Sequence, residues 1–308
     1  MKTSILAKTL LFLPRKIFIA GKTREEVLKT AARLNGEGFL ATIDVLGEHS
    51  KNEEEAEEAL LEYKELINEI TGRGLRATIS IKLTHLGLEL GFGYCFNIIR
   101  KLAAHARQCN IGIEFDMEEF KYNPEIIEIF QDISSPPGNN RICLQANIKN
   151  SFENFEILHD SGHPIRFVRG AYEESSRVSF QDQEDIQETF MSLIHGAILK
   201  TILNKLNGIS SPKHAIATRD KKIVEHVKRF VMANALTLDK NCIEFQLLYG
   251  YLSLGRELLQ EGYPVRIYLP YGNDQVALPY IWRRLKTPHA WRLLLDWLLS
   301  SGKISNKH

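Results

Sequence analysis

The feature that most constrains this chain is an eightfold alternation of short apolar runs with helix-length amphipathic segments. The runs are rich in β-branched and aromatic residues, as expected of parallel strands buried on both faces. They fall at 41–46, 76–83, 111–117, 141–147, 164–170, 214–219, 242–248 and 264–270. The alternation predicts an α/β fold, most simply a single (β/α)₈ barrel of the TIM type. A doubly wound sheet is the alternative, because alternation alone does not say whether the sheet closes.

The helical segments are recognised by apolar residues three and four positions apart. They are predicted at 24–35, 52–70, 92–108, 123–133, 183–205, 221–234 and 251–262. The first begins with Thr23 followed three residues later by Glu26, a helix-start signal, and predicts an N-terminal helical extension. Apolar residues at Trp291, Leu294, Leu295 and Leu298 predict a C-terminal helix over the barrel, with membrane docking as the minority alternative. Because no Pro/Gly-rich linker divides the chain, residues 1–308 are predicted to form one domain.

Composition limits the classes of partner. Lys and Arg number 39 against 38 acids, so there is no overall field to hold nucleic acid or an acidic membrane. No apolar run reaches the ~18–20 residues needed to cross a bilayer. The four cysteines lack zinc-ligand spacing, which favours a reducing compartment. We therefore expect a cytoplasmic protein with at most peripheral contact at the inner membrane face.

Motifs for metal or nucleotide chemistry are not supported by their context. The histidines contain no HExxH, and His159 and His163 are expected at the surface, so no metal is predicted. Gly72, Gly74 and Ala77 read GxGxxA but follow a helix and precede a strand, the reverse of a dinucleotide fingerprint. This segment is interpreted as a helix C-terminus.

Polar residues recur where the predicted strands end. They are Asp44, Lys82, Asp116 with Glu118, Gln145, Arg166 with Arg169, Thr218 with Arg219, Gln246 and Tyr268. Ionisable groups within strands are costly unless they are paired or face a cavity, so their recurrence predicts a shared pocket at the carboxyl end of the barrel. For Asp44 and Glu118 alone, a solvent-exposed strand end is the favoured interpretation.

A second group follows the last strand. Tyr280, Arg283 and Arg284 have the spacing that places them together on a helix. Adjacent guanidinium groups suit a carboxylate, because their planar forks donate parallel hydrogen bonds and stay charged. The sequence therefore predicts a carboxylate-binding site above the barrel mouth.

At these positions the sequence resembles the proline dehydrogenase family of flavin-dependent barrels. The matching segments are LGE at 46–48, SIKLTHLGL at 80–88, FDME at 115–118, LQA at 144–146, IRFVRGAY at 165–172, IAT at 216–218, EFQLLYG at 244–250, VRIYLPYG at 265–272 and YIWRRL at 280–285. Any one segment is weak, but the ordered set is specific and runs nearly end to end.

The resemblance implies a role for each matching residue. Lys82, Arg283 and Arg284 would bind the substrate carboxylate, and Leu248, Tyr268 and Tyr280 would wall the substrate ring. Asp116 would orient and partly neutralise the cations, and Arg166 would lie near the reactive nitrogen of the flavin, where negative charge accumulates. Catalytic roles are thus expected for Asp116, Arg166 and Tyr268. The expected flavin-contacting residues are Met117, Gln145, Arg166, Arg169, Gly170, Ala171, Thr218 and Arg219.

The resemblance also implies an activity and its partners. The expected reaction is oxidation of L-proline to 1-pyrroline-5-carboxylate by hydride transfer to FAD, with electrons passed to a quinone-type acceptor. A pyrroline-5-carboxylate dehydrogenase would be the functional partner in proline catabolism. Three positions depart from the family: Arg169 is usually lysine, Arg219 is usually histidine, and Asn147 stands where an aromatic is common. These departures leave the rate, the FAD affinity and a preference for 4-hydroxyproline open.

Two other functions compete with this one. A Schiff-base lyase would use Lys82 as its nucleophile, provided that neighbouring arginines lowered the lysine pKa. A binding or regulatory barrel that has lost turnover is suggested by Arg219 and Asn147.

Overall fold

The structure is a computed structural model that describes residues 14–234 and 238–285. Its centre is a closed barrel of eight parallel strands in chain order. The strands are β1 (Leu40–Val45), β2 (Ala77–Ile81), β3 (Ile113–Phe115), β4 (Arg141–Gln145), β5 (Ile165–Val168), β6 (His214–Ala217), β7 (Ile243–Leu248) and β8 (Val265–Tyr271). The ladder between β8 and β1 closes the sheet, with Tyr268 opposite Thr42. The barrel prediction is therefore confirmed over the doubly wound alternative.

Helices surround the barrel. In the described part of the chain they are α1 (Arg24–Gly36), α2 (Glu53–Gly72), α3 (Phe92–Gln108), α4 (Asn123–Ile133), α5 (Ser151–Asp160), α6 (Gln183–Leu206), α7 (Lys221–Ala233), α8 (Leu252–Gln260) and α9 (Asp274–Leu285). Short 3₁₀ turns occupy Leu88–Leu90, Phe120–Tyr122, Lys240–Cys242 and Tyr249–Tyr251. Helix α1 precedes β1 and is the predicted N-terminal extension, whose Thr23 side chain accepts a hydrogen bond from the Glu26 backbone.

The apolar core lies between the strands and the helices. Outward-facing strand residues pack there, as Phe115 does edge-on against Phe130 of α4 at a ring distance of 5.2 Å. Phe167 packs likewise on Phe155 of α5 at 5.8 Å. Each fully buried large apolar side chain contributes about 1.5–3 kcal/mol relative to exposure. Because successive strand residues face opposite ways, the alternate side chains point into the barrel, and many of these are polar or charged.

The structure confirms one predicted helix end and contains one helix that the sequence did not predict. The GxGxxA segment is a helix end as predicted, since α2 stops at Gly72 and Gly74 has a φ of +60° that glycine tolerates. Helix α5 was not predicted. It has 10 residues and begins without a side-chain capping bond, so it lacks the start signal that marked α1.

Two burial predictions were wrong. Asp44 and Glu118 are 0% and 1% exposed rather than solvated, because each carboxylate finds partners inside the barrel mouth. His159 and His163 are also buried, and His159 Nδ1 lies 2.9 Å from His214 Nε2. The pairing of rings on α5 and β6 depends on tertiary contacts that spacing along the chain does not reveal.

The remaining terminal predictions fall partly outside the described residues. The stripe from Trp291 to Leu298, expected as the C-terminal helix, lies beyond residue 285. Among the described helices, none combines the length and the apolar character that a membrane crossing requires.

Candidate active site

The Asp116 carboxylate is the centre of the barrel mouth. It follows β3, and its oxygens accept hydrogen bonds from Tyr268 Oη at 2.7 Å, Ser80 Oγ at 2.8 Å and Lys82 Nζ at 3.1 Å. Arg166 Nη2 also donates to it. Four donors from β2, β5 and β8 or the residues that follow them thus converge on one buried acid. The sequence places these residues in or directly after strands, and closure of the barrel brings their side chains into contact.

Lys82 is shared between two carboxylates. Its Nζ lies 3.0 Å from Asp44 Oδ1 as well as 3.1 Å from Asp116 Oδ2. Burial opposes the ammonium charge, but Asp44, Tyr268 and Asp116 raise the pKa of Lys82 well above its ordinary value. Burial also raises the pKa of Asp44, whereas Lys82 and Arg166 outweigh burial at Asp116 and hold its pKa far below the usual range. Lys82 is therefore a fixed cation at neutral pH.

A second layer of charge lies beneath the mouth and was missed by the sequence analysis. Glu244 accepts from Arg141 Nη1 and Arg266 Nε, both at 2.8 Å, and Glu114 accepts from Arg141 Nη1 at 3.1 Å. Arg166 joins the layers, since its Nη1 lies 2.9 Å from Glu114 Oε2. The sequence signal for this layer is the alternation of apolar and polar residues in IEF at 113–115 and IEFQ at 243–246. This alternation places Glu114 and Glu244 on the inner face of the barrel.

We call these two layers the charged core. It contains Asp44, Lys82, Glu114, Asp116, Arg141, Arg166, Glu244 and Arg266. All eight side chains are buried, and the four acids balance the four cations. Breaking such a pair on one side leaves an uncompensated buried charge, which typically costs ~3–5 kcal/mol.

Helix α9 carries the predicted guanidinium pair. Arg283 does not point at Lys82; it forms a bidentate ion pair with Glu48, with distances of 2.5 and 2.9 Å. Arg284 stacks over the Tyr280 ring at 4.9 Å. Burial opposes the charge of Arg284, but Tyr280 and then Tyr268 raise its pKa above the ordinary value. The two arginines thus have different surroundings, although both belong to the mouth.

Tyr172 connects the α9 arginines electrostatically with Lys82. It is half-buried after β5, and burial is the main reason that its pKa is raised. Glu48, Lys82 and Arg283 all lie close enough to influence that pKa. Among the predicted wall residues, Tyr280 is buried, and Leu248 lies beside Tyr268 in the β7–β8 ladder. Lys82, Arg283 and Arg284 thus each lie within electrostatic range of Tyr172.

The ends of β4 and β5 carry several predicted flavin contacts. Backbone bonds join these ends, as Asn147 N donates to Arg169 O at 3.0 Å. Gln145 Nε2 donates to Glu118 O at 3.1 Å, while its buried Oε1 has no partner among the described residues. Gly170 has a φ of +108°, and a Cβ there would lie 2.0 Å from Asn147 Oδ1. The Asn147 side chain thus takes the space in which a Cβ of residue 170 would lie, and Gln145 Oε1 is a free buried acceptor that fits an N–H group of a flavin.

The other predicted cofactor residues lie around the same rim. Met117 is buried directly after Asp116, and Ala171 is exposed after Gly170. Arg169 Nη2 donates to the Gln183 side chain at 3.1 Å, at the start of α6. After β6, the Thr218 hydroxyl accepts from Asp220 N. Arg219 Nη1 donates to Tyr251 Oη at 2.6 Å, a contact between the segments that follow β6 and β7, which spacing did not predict.

Glu118 is a buried acid whose charge depends on pH near neutrality. Its Oε1 accepts from Thr84 N at 3.0 Å and its Oε2 contacts the Thr84 hydroxyl. Burial raises its pKa to about 7, although both bonds from Thr84 and the charge of Lys82 act to lower it. Folding therefore favours the protonated form, and the stability that this contributes is present below the unfolded pKa and is lost as the pH rises through about 7.

We expect Glu118→Gln to remove this pH dependence. Between pH 5 and 8 the free energy of unfolding of the variant should gain about 2–3 kcal/mol relative to wild type, because the glutamine has no proton to lose. Urea unfolding at both pH values measures the difference. Glu57→Gln, which alters an exposed acid paired with Lys101, is the control and should show no such gain. A constant difference across the pH range would contradict the assignment.

Fold and site together define a (β/α)₈-barrel protein with a buried, charge-balanced core beneath the mouth of its barrel. The sequence model of the proline dehydrogenase family matches residues 27–287. The chain belongs to the proline dehydrogenase family.

Individual relatives agree with this assignment. Proline dehydrogenase 1 of Bacillus subtilis subsp. natto is 33% identical over 269 residues, which cover 87% of this chain and 84% of the relative. The proline dehydrogenase of Deinococcus radiodurans is 30% identical over 88% of this chain and 85% of its own length. The crystal structure of proline utilization A (PutA) from Bdellovibrio bacteriovorus, inactivated by N-propargylglycine, superposes with a TM-score of 0.81 at 20% identity. It covers 93% of this chain, which spans about a third (34%) of that longer protein.

Proposed function

We propose that this protein oxidises L-proline to 1-pyrroline-5-carboxylate at the barrel mouth, with FAD as cofactor, as the first step of proline catabolism. The observation that carries the proposal is the convergence of Lys82, Arg166 and Tyr268 on Asp116, with Arg284 of α9 within electrostatic range of Tyr268. Family membership supports proline as the substrate. The proposal treats residues 1–308 as one catalytic domain.

Binding of the substrate carboxylate would use Lys82, Arg283 and Arg284. Lys82 stays charged because two carboxylates hold it, so it presents a point charge that does not depend on pH near neutrality. Arg283 is paired with Glu48, so substrate must compete with that carboxylate for its planar fork. Leu248, Tyr268 and Tyr280 would wall the ring, and the bond from Tyr268 to Asp116 would fix the orientation of that wall.

The cofactor would lie against the ends of β4, β5 and β6. Met117, Gln145, Arg169, Gly170, Ala171, Thr218 and Arg219 would contact it, together with Arg166. FAD would supply the acceptor for the hydride that leaves the substrate carbon. Arg166 would present positive charge on that side, but Glu114 and Asp116 compensate it, so its field is weaker than that of an isolated guanidinium. The enclosed mouth would also exclude water from the reacting atoms.

Electrons would then pass to a quinone-type acceptor. The product would be consumed by a pyrroline-5-carboxylate dehydrogenase, which we propose as the functional partner. We place the reaction in the cytoplasm, with at most peripheral contact at the inner membrane face.

The visible spectrum of the purified protein tests the function. We expect flavin absorbance that bleaches on anaerobic addition of L-proline. D-Proline and 4-hydroxyproline are the comparison ligands, because both keep the carboxylate. D-Proline inverts the stereocentre, and 4-hydroxyproline adds a hydroxyl group to the ring. A protein that binds L-proline without bleaching would be a regulatory barrel, and one that binds neither flavin nor proline would refute the proposal.

The lyase alternative is not supported by the site. A Schiff base requires a neutral amine, whereas Asp44 and Asp116 hold Lys82 as an ammonium ion and raise its pKa. Two flanking carboxylates stabilise the unreactive form.

A separate prediction concerns Arg284. We expect Arg284→Lys to raise the KM for proline about 10- to 50-fold with little change in kcat, because a planar fork becomes a point charge. Steady-state kinetics measure both constants. Arg229→Lys alters an exposed arginine on α7 and should leave both unchanged. An unaltered KM in Arg284→Lys would remove this residue from the substrate site.

A further inference from the structure

Arg166 is the one member of the charged core that touches both of its layers through carboxylates. Its Nη1 lies 2.9 Å from Glu114 Oε2, and its Nη2 contacts Asp116 Oδ1. Glu114 lies in β3 and Asp116 directly follows that strand, two residues on, so both side chains face the interior and hold the guanidinium from below and above. A guanidinium held on two nitrogens by two buried acids has little freedom to rotate.

Glu114 is itself fixed from several directions. Its Oε1 accepts from Thr42 Oγ1 at 3.0 Å, Arg141 Nη1 at 3.1 Å and Gln246 Nε2 at 3.1 Å. Burial opposes its ionisation, but Arg141 and Arg166 outweigh burial and lower its pKa. Glu114 is therefore a rigid, charged anchor that contacts groups from six other strands, β1, β2, β4, β5, β7 and β8.

We propose that Glu114 is a positioning residue: it fixes the Arg166 guanidinium against Asp116 and so sets the positive potential that the barrel mouth offers to an anionic ligand. The positioning role itself does not depend on the proposed function. Only the statement that the anionic ligand is a carboxylate rests on it. Without Glu114, Arg166 would depend on Asp116 alone, and Asp116 would be drawn from Lys82 and Tyr268, which share it. The mouth would then become more positive and less rigid.

The structure supplies a matched control in Glu244. Glu244 is as deeply buried as Glu114 and also contacts Arg141, Gln246 and Arg266. Within the described part of the chain, Glu244 makes no hydrogen bond or ion pair with Arg166, and the arginines that it holds lie at the starts of β4 and β8, away from the mouth. Glu114→Gln and Glu244→Gln therefore remove the same charge from the same core, and only the first removes a contact to Arg166.

The first measurement is the NMR spectrum of protein labelled at the arginine guanidinium groups, with Arg166 assigned by its loss in Arg166→Lys. We expect wild type and Glu244→Gln to show separate Nη signals for Arg166, which report slow rotation of the group. Glu114→Gln should lose this separation. Persistence of the separate signals in Glu114→Gln, or their loss in both variants, would overturn the proposal.

The second measurement is the affinity for tetrahydrofuran-2-carboxylate, the ring-oxygen analogue of proline, by calorimetry. We expect Glu114→Gln to bind it about three- to tenfold more tightly, because an uncovered charge near the mouth attracts the anion, and Glu244→Gln to change affinity less than about twofold. Equal changes in the two variants would show a long-range charge effect and would overturn the role of Arg166.

Two further comparisons cover the cases in which Glu114→Gln does not fold or the wild-type protein binds no ligand. Should Glu114→Gln fail to fold, the double variant Glu114→Gln/Arg141→Gln restores the charge balance, leaves Glu244 paired with Arg266, and should still lose the separate Arg166 signals. Should wild type bind neither proline nor its analogue, the proposed function fails, whereas the NMR comparison of Glu114→Gln with Glu244→Gln still decides the positioning role.

Discussion

Replacing Asp116 by asparagine is expected to lower kcat/KM for proline by about a thousandfold or more, which corresponds to ~4 kcal/mol of lost transition-state stabilisation. The carboxylate holds Lys82, Arg166 and Tyr268 at once. An asparagine is neutral and turns an N–H donor toward groups that are themselves donors. The two cations then lose their shared counter-charge, and Tyr268 loses the acceptor that orients it. Steady-state kinetics on folded variant protein, verified by circular dichroism, measure the loss.

The control for this experiment is Ser80→Ala. Ser80 donates one hydrogen bond of 2.8 Å to the same carboxylate and leaves its charge intact. A hydrogen bond to a charged group contributes about 1.5–3 kcal/mol, so the loss of kcat/KM in Ser80→Ala should stay smaller than the ~4 kcal/mol expected for Asp116→Asn. Activity of Asp116→Asn within tenfold of wild type would remove Asp116 from the centre of the site.

Lys82→Met is expected to give the largest loss of stability. The substitution leaves Asp44 and Asp116 buried around an apolar side chain, and an unpaired buried charge typically costs ~3–5 kcal/mol. Without the ammonium, the pKa of Asp44, which burial already raises, rises further. A carboxyl whose folded-state pKa is raised adds stability at low pH and loses it as the pH rises. The deficit relative to wild type should therefore be smaller at pH 5 than at pH 8.

Urea unfolding at the two pH values measures this deficit. The control is Lys101→Met, which removes an exposed lysine paired with Glu57 at 3.2 Å. Exposed pairs contribute about 0–1 kcal/mol, so this variant should remain close to wild type at both pH values. An equal deficit at pH 5 and pH 8 for Lys82→Met would show that lost packing, and not the facing carboxylates, causes the effect.

The strands were predictable because each is a local pattern bounded by polar residues. The predicted run at 242–248 differs by one residue from β7, Ile243–Leu248, since burial on both faces selects β-branched and aromatic residues. Short elements were harder. Strand β3 has three residues, Ile113–Phe115, whereas the apolar run suggested 111–117, and α5 lacked a capping signal.

The candidate site was predicted as a set of strand ends and not as a set of contacts. Lys82, Asp116, Arg166 and Tyr268 were named from the sequence, and Asp116 was expected to orient the substrate-binding cations, but the bonds that it accepts from Arg166 and Tyr268 were not predicted. Glu114 and Glu244 were not predicted as site residues because they lie within β3 and β7 and not at the carboxyl ends of these strands. Arg283 was named correctly as a cation of α9, but its pairing with Glu48 joins residues 235 apart in sequence.

The sequence by itself determined the order of strands and helices, the inward or outward face of each strand residue, and the family. These follow from periodicity and from ordered motifs, which are local along the chain. Only the tertiary structure decided which charges meet, because closing the barrel brings β3, β5 and β8 to one axis and excludes water. In that enclosed interior a carboxylate is stable only beside a cation, so the contacts, and not the residue types alone, fix which groups are charged.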